Sequence, residues 1–343
     1  MVSHDERWPD FKSIILSLLA MSTSSEVLGC ALPPHLAAWR SLVSRSVAAW
    51  DDLATTEMAK TMLEACYSLD DFLIRSGEAS QAMMWFFKQR SAFMSQKRMK
   101  KWSRDDLDDY VLLPALPGFV SRRDCFFVSH FWRTQDHPDP DGKYLRLHQA
   151  ELQWQPWKYI WVDWTCMPQS PRSLPEEVYF HRCLSTMSAI IRNCGFVYFY
   201  PPFEPRLWIL YEITEYVLTS SGGIRVTSDI EPFLQHINEM RKTSVQATLA
   251  KYGYRCSFDR DRQYLTSWLE LLVLLNRLHF SIDTIRKIMD SSTWFTMSET
   301  QLYSGVKLKR FEGTLIVGGE MHMFTPFPRW VSANNPFLVP INC

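Results

Sequence analysis

The sequence has no excess of charge of either sign. Lys and Arg together number 37, Asp and Glu also number 37, and the formal net charge is therefore zero. Nucleic-acid-binding domains usually carry a strong positive field, so the composition does not indicate a nucleic-acid partner. No stretch reaches the roughly 18 consecutive apolar residues of a transmembrane helix, and we expect no membrane span.

The sequence also lacks the cysteine patterns of metal and redox sites. Its 8 cysteines form no CxxC pair and no zinc-type spacing with histidine, so we expect no metal centre. Most of them lie in apolar stretches, as is typical of buried free thiols in an intracellular protein, which predicts a cytoplasmic location. The apolar stretch Ile14–Met21 is short and follows acidic residues. It is interpreted as an amphipathic helix and not as a signal peptide.

What the sequence does contain is a large apolar fraction. Apolar residues make up 46% of the 343 residues and charged residues 22%, which is enough to form a packed core. Aromatic residues reach 14%, which indicates a densely packed interior, aromatic-lined pockets, or both. Neither a P-loop of the form GxxxxGK[ST] nor an internal repeat is present, and this weakens an interpretation as a nucleotide-switch or repeat receptor.

Residues 1–115 and 226–343 are predicted to be mainly helical regions. In the first region, apolar residues recur at helical spacing over Leu36–Val47, Met58–Ile74 and Ala82–Phe93. The second region is predicted to end in a β-hairpin, because Gly313 separates two β-rich runs.

Strand and helix signals alternate over residues 116–225. Short β-rich runs predict strands at Cys125–Val128, Tyr159–Asp163 and Phe196–Tyr200. Helical periodicity predicts helices at Tyr144–Leu152, Tyr179–Arg192 and Arg206–Leu218. Strands that alternate with helices form right-handed βαβ units, so we predict an α/β fold with a parallel-sheet core. The central strand is expected to end near Cys166, because Pro168 cannot donate to a ladder.

Polar residues follow the predicted strands where each strand ends. Asp163 ends the central run, and open α/β sheets bind ligands at the carboxyl ends of their strands, so this carboxylate is interpreted as a partner for a ribose hydroxyl. Ser129 and His130 end the first strand, but neighbouring strand residues point to opposite faces and do not readily form a dyad. Ser129 is interpreted as a hydrogen-bonding group for a phosphate or ribose or, if a base such as His181 approaches, as an acyl acceptor. Arg133 is interpreted as a phosphate ligand.

Three motifs in the middle of the chain carry a resemblance to a known family. They are CFFVSHFW at 125–132, YIWVDWTCMPQ at 159–169 and RLWILYEI at 206–213. In this order they resemble the Toll/interleukin-receptor (TIR) superfamily and, within it, the fungal heterokaryon-incompatibility (HET) domain. The matching positions are Trp161, Asp163, Cys166, Gln169, Trp208 and Glu212. Arg133 stands where the family pattern has glycine.

The resemblance implies a TIR/flavodoxin-like sheet and an enzyme that cleaves or transfers a ribosyl group of a nucleotide such as NAD. Glu212 would lie beside the ribose that carries nicotinamide, and Trp208, one helical turn earlier, would stack on a base or ring. The resemblance also implies that the substrate site includes His130, Trp132, Cys166 and Gln169. NAD would be a substrate, and no resident cofactor is expected.

Three functional interpretations stay open. The chain is a nucleotide-processing enzyme centred on Glu212, a fungal-type biosynthetic enzyme that transfers a group through Ser129, or a cell-death or self/non-self signalling module that acts by homo-oligomeric assembly. If the first holds, Ser129, Asp163 and Glu212 should line one cleft. Glu212 could instead be an ordinary helix-surface carboxylate, as we expect for Glu215, and Cys166 is more simply a buried structural thiol.

Overall fold

The computed structural model describes residues 32–50, 56–77, 83–116, 118–134, 136–200, 202–221, 223–294, 299–303 and 305–329. The predicted helix at Ile14–Met21 lies outside the described residues, as do Cys30 and Cys343. The described chain is a mixed α/β protein with two sheets and many helices.

A five-stranded mixed sheet forms the centre of the described chain. Its strands are β1 (Met84–Gln89), β2 (Tyr110–Pro114), β3 (Cys125–His130), β4 (Tyr159–Trp161) and β5 (Gly195–Phe199). They lie in the order β2-β1-β4-β3-β5, with β3 parallel to β4 and β5, and β1 antiparallel to both of its neighbours. The prediction that the three middle runs form parallel strands of one sheet is confirmed.

Aromatic side chains hold the parallel strands in register. Phe127 on β3 stacks on Trp161 of β4 and on Phe196 of β5, with ring centroids 5.1 and 5.8 Å apart. The same residues are backbone partners across the two ladders. Because a slip of one residue would turn every side chain of a strand to the other face, this packing also fixes where the polar residues at the strand ends point.

Strand β1 shows that the predicted helix over Ala82–Phe93 is wrong. Met84–Gln89 pair with β2 on one side and with β4 on the other, and only Arg90–Ser95 form a short helix. Nearly every side chain of β1 is buried, so apolar and polar residues do not alternate along it. Periodicity cannot distinguish such a run from a buried helix. Both β1 and β2 thus lie within residues 1–115, the region that was predicted to be helical.

Helices precede, connect and follow the strands of the central sheet. The first are α1 (Pro34–Ala49), α2 (Thr56–Glu64), α3 (Leu69–Arg75), α4 (Arg90–Ser95) and a 3-10 segment at Arg104–Asp109. Those in the middle are α5 (Lys143–Leu152), α6 (Asp163–Cys166), α7 (Leu174–Asn193) and α8 (Leu207–Leu218). Those that follow are α9 (Glu231–Lys242), α10 (Val245–Lys251), α11 (Asp259–Arg277) and α12 (Ile282–Trp294).

Two of these helices replace the single helix predicted over Met58–Ile74. The chain leaves helix α2 after Glu64, and Ser68 begins α3 by accepting a hydrogen bond from the Asp71 backbone N–H at 3.2 Å. A serine at this position satisfies a backbone donor that the first helical turn leaves free. The apolar spacing continues across the break, so the periodicity did not reveal it.

The central strand ends earlier than predicted. Strand β4 ends at Trp161, and Asp163 begins α6 instead of continuing the strand towards Cys166. The Met167 backbone N–H donates to the Asp163 carbonyl oxygen at 3.1 Å and closes this short turn. The Asp163 carboxyl group therefore lies directly at the carboxyl end of a central strand.

The two faces of the sheet pack against different helices. Phe127 and Trp161 belong to the larger apolar cluster, which includes side chains of α7, α8 and α11. Their chain neighbours Val128 and Ile160 belong to a smaller cluster around α5. This alternation follows from the twofold period of a strand, and it turns Ser129 towards α8.

The C-terminal part contains a second, antiparallel sheet. Its strands are β6 (Glu299–Tyr303), β7 (Val306–Lys309), β8 (Thr314–Val317) and β9 (Glu320–Met323), in that order. Gly313 lies in the turn between β7 and β8 with φ +64°, and a Cβ there would lie 2.2 Å from the Phe324 carbonyl oxygen. The predicted hairpin is confirmed and is part of a four-stranded sheet.

The described helices and cysteines bear on two expectations from the sequence, the absence of a membrane span and the burial of the thiols. None of the helices within the described ranges combines the length and the apolar content that crossing a bilayer requires. Of the cysteines among them, Cys256 alone is partly exposed, whereas the others are buried: Cys66, Cys125, Cys166, Cys183 and Cys194.

Candidate functional site

A contact between Ser129 and Glu212 joins the central sheet to helix α8. Ser129 is the fifth residue of β3 and lies two residues after Phe127, so both side chains lie on the face that packs against α8. Glu212 lies in the second turn of α8. The Ser129 hydroxyl donates a hydrogen bond to Glu212 Oε2. The sequence prediction placed these two residues in one cleft, and the structure brings them into contact.

Asp163 is the third predicted member of the site, and its carboxyl group is held by two donors. Trp132 Nε1 donates to Asp163 Oδ2 at 2.8 Å, and the Trp164 backbone N–H donates to Oδ1 at 2.6 Å. Gln169 supports the same turn, since its side-chain N–H group donates to the Asp163 carbonyl oxygen at 2.9 Å. Trp132 and Gln169 thus position Asp163 in the described protein.

The carboxyl groups of Glu212 and Asp163 both have a raised pKa. Burial raises the pKa of Glu212 to about 8, the hydrogen bond from Ser129 opposes this rise, and the charge of Asp163 adds to it. Burial also raises the pKa of Asp163, and the hydrogen bonds from Trp132 and the Trp164 backbone oppose that rise. Glu212 is therefore largely protonated at neutral pH, although a nearby positive charge would favour its ionised form.

No basic side chain compensates these carboxyl groups within the part of the chain that the structure describes. Neither Asp163 nor Glu212 forms an ion pair there, whereas other carboxylates of the protein, such as Asp141 and Glu239, pair with Arg133 and Lys251. Asp163 and Glu212 as residues are partly exposed, although burial affects both carboxyl groups. Because like charges that share a partly buried site repel each other, the pair is chemically suited to a ligand that brings its own positive charge.

Ser129 itself is closed off from solvent. Its side chain is only 1% exposed, and its hydroxyl is directed at Glu212. A nucleophile must reach the reacting atom of its substrate, and this burial disfavours that role in the described conformation. The partly exposed acidic residues of the site, Asp163 and Glu212, are better placed to meet a ligand.

Tyr200 is a member of this site that sequence reasoning did not single out. Its side chain is fully buried at the end of the β5 run. Burial raises the pKa of its hydroxyl, the Glu212 charge raises it further, and a hydrogen-bonding interaction with Ser129 lowers it, so both groups lie close by. The signal was available in the sequence, because Tyr200 is two residues after Tyr198 and the strand period places the two rings on one face.

His130 points away from this site, as the alternation along the strand predicts. Its Nδ1 lies 3.4 Å from His148 Nε2, and its ring lies against Tyr144 with centroids 5.3 Å apart. Burial, with a contribution from His137, lowers the pKa of His130 to about 3. The imidazole is therefore neutral and belongs to the face that packs on α5.

Arg133, proposed from the sequence as a phosphate ligand, is bound by the loop that follows it. Its guanidinium forms an ion pair with Asp141 and lies 3.8 Å from Asp139. Asp139 is buried and accepts hydrogen bonds from the Tyr144 and Leu145 backbone N–H groups, each at 2.9 Å. In the described conformation Arg133 thus stabilises the start of α5.

The remaining predicted residues have structural partners as well. Cys166 is buried, burial raises the pKa of its thiol, and its sulfur lies 3.5 Å from the Ile160 carbonyl oxygen. Trp208 packs edge-on against Tyr211, with centroids 5.8 Å apart, and interacts with Asp261. His181 contacts Glu177 at 2.9 Å. The sequence suggested His181 as a possible base for Ser129. The side chain that accepts the Ser129 hydrogen bond is Glu212.

Glu215 corrects the expectation that it is a helix-surface carboxylate. Its side chain is fully buried, pairs with Arg192 and accepts a hydrogen bond from Trp268 Nε1 at 2.6 Å. Arg192 also pairs with Asp290 at 2.8 Å. The sequence spacing did not show this, because Arg192 and Trp268, the partners of Glu215, come from α7 and α11, and Asp290, which shares Arg192, comes from α12.

Two cavities of the described chain are lined by residues other than Asp163 and Glu212. One, of about 200 Å³, is lined by Trp85, Ala189 and Arg286 among others. The other, of about 470 Å³, lies beside Gln246 and Glu270. A ligand of Asp163 and Glu212 would therefore bind at the sheet edge rather than inside either cavity.

The described residues contain no group of three or more histidine, cysteine, aspartate or glutamate side chains that could hold a metal ion. No protein-family model, curated protein or solved structure matches the chain.

Proposed function

We propose that this protein cleaves the N-glycosidic bond of a nucleotide with a positively charged base, such as NAD, and that Glu212 is the central catalytic residue. The observation that carries the proposal is the cluster of Glu212, Ser129 and Asp163 at the carboxyl edge of the parallel strands. The resemblance of motifs 125–132, 159–169 and 206–213 to TIR and HET sequences supports the same chemistry.

We also propose that the sheet is of the TIR/flavodoxin type. Among the parallel strands, β3 comes first in the chain and lies between β4 and β5. This is the 2-1-3 order of flavodoxin-like sheets, whose ligands bind at the carboxyl edge where the strand order reverses. Ser129 and Asp163 lie at that edge. The antiparallel strand β1 extends the sheet beyond β4.

In the proposed reaction, the bond between ribose C1′ and the nicotinamide nitrogen breaks, and its electron pair stays on that nitrogen. The ring leaves as neutral nicotinamide, and positive charge develops on the ribose. A carboxylate fixed beside C1′ stabilises this charge in the transition state. Water then adds to C1′ and loses a proton, which yields ADP-ribose.

The empty and the occupied site differ in the protonation of Glu212. Without a ligand, burial and the charge of Asp163 favour the neutral form. A pyridinium ring supplies the positive charge that the two carboxyl groups lack in the described protein, so its arrival lowers the pKa of Glu212. The proton leaves to solvent, because Glu212 lies at a residue position that is partly exposed. This coupling favours a cationic base over a neutral one.

The test is incubation of the purified protein with NAD, followed by mass spectrometry of nicotinamide and ADP-ribose. We expect both products, and we expect Glu212→Gln to reduce turnover by about a hundredfold or more, since it removes the charge and keeps the size. Glu231→Gln, at an exposed carboxyl group at the start of α9, is the matched control and should keep full activity. Full activity of Glu212→Gln would refute the proposal.

A second candidate is group transfer through Ser129, as in a biosynthetic transferase. The observation in its favour is the hydrogen bond from the Ser129 hydroxyl to a carboxyl group, because a nucleophile needs a base that accepts its proton. Burial of Ser129 opposes it. An acyl adduct on Ser129 in the intact protein, detected by mass and lost in Ser129→Ala, would favour this candidate over NAD cleavage.

A further inference from the structure

The Tyr200 hydroxyl is a buried polar group that makes no well-formed hydrogen bond with the described residues. The Tyr200 side chain is fully buried. Native proteins provide partners for nearly all buried polar groups. The groups that affect its ionisation are Glu212 and Ser129 and, with smaller effects, Tyr198 and Asp229, so a partner is within reach.

The packing around Tyr200 restricts where its hydroxyl can point. The ring stacks on Tyr198, with centroids 5.5 Å apart and an interplanar angle of 14°. It also packs against Phe131 at 5.3 Å and Phe233 at 5.6 Å. Since Tyr198 is the backbone partner of Ser129 across the β3–β5 ladder, the stack places Tyr200 just beyond Ser129.

Exposure increases along the series from Tyr200 to Glu212. Tyr200 is 0% exposed and Ser129 1% exposed, whereas the residue Glu212 is partly exposed. A serine hydroxyl can donate one hydrogen bond and accept others at the same time. Ser129 already donates to Glu212, so its oxygen remains free to accept from the tyrosine.

We propose that Tyr200 is a positioning residue whose hydroxyl donates to Ser129 Oγ, so that Tyr200, Ser129 and Glu212 form one chain of hydrogen bonds that orients and stabilises the Glu212 carboxylate. The role assigned to the carboxylate rests on the proposed function. Hydrogen bonds in series polarise one another, so the tyrosine strengthens the bond that Ser129 makes to the ionised carboxyl group. No proton passes along the chain.

The test replaces Tyr200 by Phe and measures the pKa of Glu212 from the carboxyl carbon signal in ¹³C NMR. Loss of the donor should raise the pKa of Glu212 by about half a unit, because a hydrogen bond to the ionised form is weakened. Tyr198→Phe is the matched control. It removes a hydroxyl two residues earlier in the chain, but this hydroxyl donates to the Arg225 carbonyl oxygen and lies 3.3 Å from Thr227 Oγ1. It should leave the pKa of Glu212 unchanged.

A second variant covers the case in which Tyr200→Phe does not fold. Ser129→Ala removes the link that joins the tyrosine to Glu212, and it should raise the pKa of Glu212 by at least as much. Adding Tyr200→Phe to Ser129→Ala should then cause no further rise. Additive shifts, an equal shift in Tyr198→Phe, or no shift in a folded Tyr200→Phe would each overturn the proposal.

The titration separates this proposal from the proposed function. It needs no substrate, so it reports on the hydrogen-bond chain even in a protein that does not cleave NAD. If Tyr200→Phe raises the pKa of Glu212 while Glu212→Gln keeps full activity, the chain exists and the proposed reaction is wrong. If Glu212→Gln is inactive and Tyr200→Phe leaves the pKa unchanged, the reaction stands and the positioning role is wrong.

Discussion

Glu212 and Glu215 lie three residues apart on helix α8 and have opposite surroundings. Glu212 is partly exposed and accepts a hydrogen bond from Ser129, without an ion pair in the described part of the chain. Glu215 is buried and pairs with Arg192. One helix thus carries a carboxyl group that can meet a ligand and another that stabilises the core.

Glu215→Gln should lower the free energy of unfolding by about 2–4 kcal/mol, because it leaves the buried Arg192 with only part of its compensating charge. Urea denaturation followed by circular dichroism measures this change. Glu231→Gln, at an exposed carboxyl group, should change the free energy by less than about 0.5 kcal/mol. Equal stabilities of the two variants would show that the buried pair contributes little.

Glu212 should make the stability of the protein depend on pH. Its pKa is raised from 4.5 to about 8 in the folded state, so the folded protein binds an additional proton between these values. The free energy of unfolding should therefore fall as the pH rises through this window, by on the order of 2–4 kcal/mol. Denaturation at a series of pH values tests this. The fall should be absent in Glu212→Gln, and its persistence there would assign it to another group.

Asp163→Asn should lower the pKa of Glu212. The Asp163 charge is one of the causes that raise this pKa, and the amide removes the charge while it keeps the shape of the side chain. We expect a fall of about one unit, measured by ¹³C NMR of the Glu212 carboxyl group. A pKa that stays near 8 would mean that burial alone accounts for the rise.

If the protein cleaves NAD as proposed, Trp132→Phe should reduce this activity through Asp163. The indole N–H donates to Asp163 Oδ2 at 2.8 Å, and phenylalanine keeps the aromatic ring without the donor. The freed carboxyl group should lose its orientation, and kcat/KM for NAD should fall about ten- to hundredfold. Trp154→Phe, at a side chain 85% exposed, should have no effect. Equal losses in the two variants would point to a general loss of packing.

Some parts of the site could be predicted from the sequence because they depend on local patterns. The runs around Phe127 and Trp161 predict parallel strands, and the strand period separates Ser129 from His130. Other parts depend on residues distant in the chain. Nothing near Glu215 indicates that Arg192 and Trp268 enclose it.

Strand β1 could not be predicted for a related reason. Burial on both faces removes the alternation that distinguishes a strand from a helix. Tyr200 is a different case, since its position two residues after Tyr198 was readable. Its importance became apparent only when packing placed its hydroxyl beside Ser129 and Glu212.

The antiparallel pairing of β1 with β4 limits how the protein can be shortened. Lys88 and Gln89 of β1 are the backbone partners of Ile160 and Tyr159. A fragment restricted to residues 116–225 would lose this partner and expose the free edge of β4, next to the apolar Ile160 and Trp161. Exposed edges of this kind pair with other chains and cause aggregation. A soluble minimal fragment that retains Asp163 in place therefore has to begin before Met84.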